Sequence, residues 1–484
     1  MATTEARLRH LFLRGFLKSL GADDVYRRTA TTSADRATPK QVRAGLQQLL
    51  LRVNRANPFF NGRFDTFLDR VADCSDDDFF RRYAELPVFT KDDYLTAGAA
   101  VMDERYQNHL KALELRFSGS AWQLFQRLRG DDFVLPMCTG GTTAEPLIVQ
   151  MNKEHTFAML FSFFACWRQM GWSLGQRVLV FYPAGTYNID DLASFNRLGW
   201  LTGFRVLLFS HLDRNAIEGL VFELNAFKPD LLLIFPSPMN IIAQTIRSQG
   251  LKLTHQPPMI NVSGETFFDC QRKNIASVFP ESRLEDSYGS VELGEIAHQS
   301  GHGLGIFSHL AYIERSVDET GVSEAVITRL GLSSFPFIRY HMKDVIVPEP
   351  GQNSGQGIYG IRWIEGKNTT YLEAEGTGRI YCSFFNQLVN DINARFDDAI
   401  VEIKVYERAG SLLDIQLITR DRDSHDQIGQ AMHEHLVGRL GNRMRSNISF
   451  VDVIDHDYRR KYRPIERNIG TEWAGGVLGH GVPA

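Results

Sequence analysis

Cysteine is scarce: five residues in 484 (Cys74, Cys138, Cys166, Cys270 and Cys382), with no C-x-x-C step and no paired framework. That spacing argues against a disulfide-stapled scaffold and against a zinc knuckle, and makes a reducing cytoplasm the expected compartment. Long hydrophobic runs are also missing. The most apolar stretch, Thr156 to Trp167, is too short to span a bilayer and reads as a buried helix. The opening residues, Met1-Ala-Thr-Thr-Glu-Ala-Arg7, lack the basic-then-apolar order of a secretion signal. Nor is there a large excess of charge. A net charge of −4 gives no reason to expect nucleic acid or an anionic membrane as a partner. Neither Gly-x-x-x-x-Gly-Lys-Ser/Thr nor His-Arg-Asp occurs, which disfavours a kinase-like phosphotransferase. No internal repeat or low-complexity tract is present.

What is present describes an ordinary globular protein, 43% apolar and 23% charged, long enough for two or three domains. Residues 1–130 read as a helical region. Within it, Gln41 to Asn57 places Leu46, Leu49, Leu50 and Val53 on one face, and Pro58 ends the run. From 131 to 365 apolar strands alternate with amphipathic helices. Arg177–Tyr182, Phe204–Phe209 and Leu231–Phe235 are the strands, and Ile217, Leu220, Val221 and Leu224 mark a helix between the last two. That pattern predicts an α/β core around a mainly parallel sheet buried on both faces, with ligands at the carboxyl ends of its strands. Residues 366–484 read as a small α+β domain. Val401, Ile403 and Val405 alternate, as do Leu413, Ile415 and Leu417; Ile428, Met432, Leu436 and Leu440 follow at helical spacing, and Ile448–Val453 is a further strand. Gln352–Gly357 reads as a flexible loop.

Chemistry concentrates in four segments. Cys138-Thr-Gly-Gly-Thr-Thr-Ala-Glu-Pro146 follows an apolar run and combines glycines, which let backbone N–H groups converge on an anion, with threonine hydroxyls that add donors. The others are Asp286-Ser-Tyr-Gly-Ser-Val-Glu292, Phe335-Pro-Phe-Ile-Arg-Tyr-His-Met-Lys-Asp344 and Tyr458-Arg-Arg-Lys-Tyr-Arg-Pro464. In order and spacing the four resemble the motifs of the adenylate-forming enzymes, which include acyl-CoA synthetases and nonribosomal peptide adenylation domains. Within that superfamily the chain looks most like the phenylacetate–CoA ligase branch. The resemblance starts at Leu86-Pro-Val-Phe-Thr-Lys-Asp-Asp93 and covers roughly four-fifths of the chain.

The resemblance implies a large ATP-binding region with a small mobile C-terminal domain, and an ATP- and Mg²⁺-dependent ligase. Such an enzyme joins a small acid to an acceptor through an acyl-adenylate, with CoA as the default acceptor. Thr139, Gly140, Gly141, Thr142 and Thr143 would cradle phosphate. Ser263, Gly264 and Glu265 would line the adenine pocket through backbone. Tyr288 and Gly289 would lie against adenine, and Glu292 would ligate Mg²⁺. Asp344 would hold the ribose hydroxyls, with Arg339 structural. Lys367 would stand near the ribose, and Lys461 would meet the α-phosphate, with Arg460 and Arg463 as alternatives. The acid pocket would be lined by Phe181, Tyr182, Phe235, Pro236 and Trp200, and aromatic walls suit an aryl or apolar acid.

This chain departs from the family pattern at several points. Ala144-Glu145 stands where Gly-Lys precedes the proline, His341-Met-Lys343 replaces Arg-Thr-Gly, and Gly366-Lys-Asn-Thr-Thr370 lacks the acidic hinge residue. An amine acceptor, nitrite as the activated oxyacid, and a non-catalytic nucleotide-binding scaffold therefore stay open. His298, His302 and His309 cluster without cysteines, and no metal is assigned to them.

Overall fold

The computed structural model describes residues 4–30, 36–108, 121–139, 146–184, 192–351, 353–374, 378–408, 412–420, 422–441, 445–454 and 461–467. These fall into two compact units that are not contiguous in sequence. The first comprises residues up to Glu265, Ala276–Ile364 and Lys461; the second comprises Thr266–Ile275, Glu365 to His456 and the chain from Tyr462 onward.

The first unit opens with helices. The one expected to start at Gln41 runs from Pro39 to Ala56, because Thr38 builds a complete capping box with Gln41 and Pro39 supplies a ready φ at the first turn. Its buried face of Val42, Leu46, Leu49, Leu50 and Val53 joins a core with Ile313, Ile327, Phe337 and Ile338. An antiparallel hairpin of β1 (Val134–Cys138) and β2 (Ile148–Asn152) follows, in the register Cys138↔Ile148.

Five strands then pair in parallel: β3 (Val178–Pro183), β4 (Phe204–Phe209), β5 (Leu231–Ile234), β6 (Met259–Ser263) and β7 (Arg283–Ser290), in the order β4-β3-β5-β6-β7. Every residue of β3, β5 and β6 is buried, as apolar strands covered on both faces require. Val178, Val180 and Tyr182 face the same core as Leu231 and Leu233, together with Phe161, Phe164 and Trp167 of the Lys153–Gln169 helix. The sheet continues antiparallel through β8 (Gly294–Ser300) and β9 (Gly303–Ile306). It is completed by β10 (Ala311–Val317), β11 (Ser323–Arg329), β12 (Tyr340–Pro348), β13 (Asn353–Ser354), β14 (Gly357–Ile358) and β15 (Gly360–Lys367), thirteen strands among the described residues. Of the expected loop Gln352–Gly357, residues 353–357 contribute to the short β13–β14 hairpin, anchored by pairing of Ile358 with Ile313, and Gln352 lies outside the described residues.

In the second unit β16 (Leu372–Ala374) and β17 (Gly378–Ile380) form a small hairpin. A four-stranded sheet of β18 (Ile400–Arg408), β19 (Leu412–Thr419), β20 (Arg445–Phe450) and β21 (Ile465–Glu466) has the order β20-β19-β18-β21. The alternating Ile403, Val405, Leu413, Ile415 and Leu417 are buried, as are Ile428, Met432, Leu436 and Leu440 of the His425–Leu440 helix. No described helix is long and apolar enough to cross a membrane.

Candidate active site

Two of the sequence motifs meet in the first unit. The segment Leu86–Lys91 docks on Phe335–Asp344 through backbone bonds, with the Phe89 N–H donating to the Arg339 carbonyl (3.0 Å) and the His341 N–H to the Phe89 carbonyl (2.9 Å). Tyr94, fully buried, donates its hydroxyl to the Pro336 carbonyl at 2.8 Å and accepts the Ile338 N–H at 3.3 Å. Arg339 is buried; its guanidinium pairs with Glu314 at 3.0 Å and also donates to the Leu86 carbonyl. Its role here is to fasten the segment, and Asp344 is carried into place at the far end of it, on β12.

Asp344 is buried and accepts a hydrogen bond from the Tyr288 hydroxyl at 2.7 Å. Burial and the neighbouring Asp344 carboxylate push the Tyr288 phenol well above its ordinary range, so it remains a donor at physiological pH. Glu292 lies in the turn between β7 and β8 and is largely buried, with no hydrogen-bond or ion-pair partner among the described residues. The fully buried Arg329 pins this turn, donating to the Leu293 and Leu310 carbonyls at 2.6 Å each. A buried carboxylate with no cation partner among the described residues fits the oxygen donor that would hold Mg²⁺, whose charge would offset that of phosphate.

The β6 strand ends at Ser263, on the same carboxyl edge as Tyr182, Phe235 and Tyr288. Gly264 takes φ +89, and a Cβ there would sit 3.1 Å from the Phe235 ring and 3.7 Å from Lys461 Nζ. Only glycine lets these three groups approach so closely in that conformation. Lys461 thus stands over the Ser263–Gly264 step. The Glu265 side chain turns away from this step. Its carboxylate accepts the Ser237 N–H (3.1 Å) and hydroxyl (2.8 Å), capping the Pro236–Gln249 helix, whose Phe235 N-cap has no side-chain acceptor of its own.

No protein-family model matches the sequence, and a search of curated proteins finds no match. Solved structures do match in shape. A 2-hydroxyisobutyryl-CoA ligase in the postadenylation state, in complex with R3-HIB-AMP, superposes with a TM-score of 0.65 at 16% identity, covering 92% of each chain. The same enzyme in an open conformation with 2-HIB-AMP and CoA gives 0.51 at 16% identity, over 91% of this chain and 93% of that one. The chain has the adenylate-forming ligase fold.

On this fold the remaining expected residues are placed as follows. Thr139 is buried at the end of β1, exchanging backbone and hydroxyl bonds with Leu147 at 2.9–3.0 Å, so it closes the base of the glycine-threonine loop. Gly140, Gly141, Thr142 and Thr143 lie outside the described residues. Tyr182 and Phe235 stack at 4.5 Å between centroids, and Pro236 is buried at the first position of its helix. Phe181 does not join them, because strand alternation turns it to the opposite face, where it stacks on Phe209 at 4.6 Å. Trp200 is 70% exposed and lines nothing with them. Lys367 ends β15 in the second unit, half-buried, with its carbonyl accepting the Thr370 N–H at 2.8 Å. Arg460 lies outside the described residues, and Arg463, in the second unit, offers its carbonyl to Lys404 at 2.6 Å. His298 is buried against Glu285 at 2.8 Å; His302 and His309 are exposed.

One residue of the carboxyl edge was missed in the sequence. Glu295, at the start of β8, is 3% exposed and accepts the Ser263 hydroxyl at 3.1 Å; the Ser287 hydroxyl bonds to it as well. Gly289 lets it in, since a Cβ there would meet the Glu295 carboxyl carbon at 2.8 Å. Beneath it Trp167 donates to Asn261 (3.0 Å), and Asn261 donates to Ser287 (3.2 Å), an unbroken buried polar chain. Burial raises the Glu295 carboxyl to about 7, against the opposing pull of the two serine hydroxyls and of Lys461. The only hint in the sequence is a second carboxylate three residues after Glu292, directly before the apolar pair Ile296-Ala297.

A stability effect follows. The folded protein holds a proton on Glu295 between about pH 4.5 and 7, where the unfolded chain has lost it. The stabilisation is therefore complete below about pH 4.5 and lost as pH rises through about 7. Glu295→Gln should match the wild type near pH 4.5 and exceed it above pH 7 by roughly 2–3 kcal/mol. Denaturation of both proteins across pH 5–8 checks this, and parallel pH dependences would refute it.

Proposed function

We propose that the chain is an ATP-dependent, AMP-forming ligase for a small carboxylic acid. The observation that carries this reading is the convergence on one strand edge of Lys461, over Ser263–Gly264, with the Tyr288–Asp344 pair and the uncompensated Glu292. In the reaction a carboxylate oxygen attacks the α-phosphorus of ATP, the new O–P bond forms, the bridging bond to the β-phosphate breaks, and pyrophosphate leaves. An acceptor then attacks the acyl carbon and releases AMP. Asp344 accepts the ribose hydroxyls. Tyr288 orients Asp344 and offers its ring to adenine. Lys461 places positive charge where it builds on the α-phosphate and the attacking carboxylate, the kind of preorganised stabilisation that dominates such transfers. The glycine-threonine loop binds the outer phosphates through backbone N–H and hydroxyl groups. Mg²⁺, when bound at Glu292, neutralises phosphate charge.

The stacked Tyr182 and Phe235 supply an apolar wall, which favours an aryl or apolar acid. CoA is the acceptor of first choice, in keeping with the phenylacetate–CoA ligase-like motifs and with the CoA bound by the structurally similar 2-hydroxyisobutyryl-CoA ligase. An amine acceptor is the second reading. It is favoured by the hinge-like segment, where Gly366–Thr370 carries no acid and the adjacent Glu365 is committed to the Ser383 N–H at 2.8 Å. The test is acid-dependent AMP formation with CoA, amines or nitrite supplied in turn. Acceleration by CoA alone supports the thioester reading, and acceleration by an amine or nitrite alone replaces it. Nucleotide binding without turnover under every condition would leave only the scaffold.

A further inference from the structure

We infer that Arg329 is a positioning residue for Glu292: its guanidinium fixes the Leu293 carbonyl and thereby sets the direction of the preceding carboxylate, the group assigned to Mg²⁺. The inference rests on the reading of Glu292 given above. The clamp lies within one compact unit. Arg329 Nε donates to the Leu293 carbonyl at 2.6 Å, and Nη1 donates to the Leu310 carbonyl at 2.6 Å and the Leu330 carbonyl at 3.2 Å. The turn after β7, the chain just before β10 and the end of β11 are thus tied to one planar, fully buried group. The turn has a weak hold of its own, since the Leu293 N–H reaches the Ser290 carbonyl at a long 3.3 Å. Its far side packs on the Lys153–Gln169 helix. Gly294 takes φ +70, a Cβ there would meet Ser162 Oγ at 2.6 Å, and the Glu295 N–H donates to that same oxygen at 2.9 Å. Ser162 therefore holds the exit of the turn, and Arg329 holds the residue directly after the carboxylate.

A buried guanidinium normally brings a carboxylate with it. Arg339 follows that pattern, with Glu314 at 3.0 Å. Arg329 does not: among the described residues it makes no ion pair, and its Nη2 has no acceptor. Burial pulls the group down to about 9, so it keeps its charge at physiological pH. Burying a cation against neutral carbonyls alone costs stability that an apolar side chain of similar volume would not. The gain is directional. A planar fork sets carbonyls of separate segments at fixed angles, which the single rotatable ammonium of a lysine cannot do. Glu292 needs such a hold, because no described partner orients its side chain. Mg²⁺ tolerates little departure from octahedral geometry, so a misdirected carboxylate loses the metal before it loses the nucleotide.

Arg329→Met keeps an apolar stem and removes every donor, whereas Arg329→Lys keeps the charge and part of the hydrogen bonding. In acid-dependent pyrophosphate release, Arg329→Met should need about tenfold more Mg²⁺ for half-maximal rate, with kcat at saturating Mg²⁺ within about threefold of wild type. Arg329→Lys should lie between the two. A second readout needs no turnover. Calorimetric titration with α,β-methylene-ATP, in Mg²⁺ and again in EDTA, gives the factor by which the metal tightens nucleotide binding. That factor should fall several-fold in Arg329→Met and less in Arg329→Lys, while affinity in EDTA stays within about twofold of wild type. In a Glu292→Gln background, Arg329→Met should change the factor no further, because the carboxylate to be positioned is gone. An unchanged factor in both Arg329 variants would overturn the proposal. So would equal losses of affinity in EDTA and in Mg²⁺, the mark of a general structural effect. A wild-type factor in Glu292→Gln would instead refute the Mg²⁺ reading of Glu292 itself, and the proposal with it. If Arg329→Met does not fold, the same comparison between Arg329→Lys and wild type decides.

Discussion

Lys461→Ala should reduce acid-dependent pyrophosphate release by roughly 10²–10³-fold while leaving ATP affinity within a few-fold of wild type. The expectation separates binding from chemistry. On the proposed reading ATP binding is shared among the hydrogen-bonded Asp344 and Tyr288, the glycine-threonine motif and the carboxylate of Glu292. The role proposed for Lys461 is to meet charge that grows only as the carboxylate approaches the α-phosphorus, so its loss should fall on kcat. Arginine at this position should recover little, because its planar fork cannot occupy the narrow step beside Gly264 and Phe235 as a point charge does. Single-turnover quench experiments with saturating ATP read the chemical step directly. An unchanged rate would remove Lys461 from the mechanism and turn attention to Arg460 and Arg463.

Asp344→Ala should weaken ATP binding by about 10–100-fold, the loss expected for two charge-assisted hydrogen bonds to ribose. The substitution also leaves the Tyr288 hydroxyl, now bonded at 2.7 Å, without its acceptor in a buried setting. Part of the loss is therefore reorganisation, and Tyr288→Phe separates the two contributions. Phenylalanine keeps a ring for adenine and removes the hydroxyl, so it should cost no more than about tenfold in affinity. Calorimetric titration with ATP measures both variants. Equal affinity of Asp344→Ala and wild type would exclude the ribose role.

Much of the fold was legible in advance because local physics and tertiary context agree. Val178–Pro183 and Leu231–Ile234 are apolar at every position because both faces of the parallel sheet are covered. The helical spacing of Leu46, Leu49, Leu50 and Val53 marks a helix whose buried face is those same residues, although its start lies two residues earlier, at Pro39. Less legible was anything that depends on which way a side chain turns. Phe181 and Tyr182 are neighbours in sequence, yet the strand sends them to opposite faces. Glu265 sits in an adenine-pocket motif and is committed to the N-terminus of another helix. Glu295 was not singled out because its buried setting is built by Ser263 and Ser287, contributed by two other strands. The division of the chain was equally hidden, since Thr266–Ile275 groups with residues about a hundred positions later.

The central claim is that a carboxylate oxygen becomes bonded to the α-phosphorus of ATP. Incubating the protein with Mg·ATP, CoA and a pool of aryl and aliphatic acids labelled with ¹⁸O in the carboxylate tests it most directly. The account predicts AMP carrying one ¹⁸O atom together with pyrophosphate, both dependent on the acid. Unlabelled AMP, or label in inorganic phosphate with ADP, would contradict it.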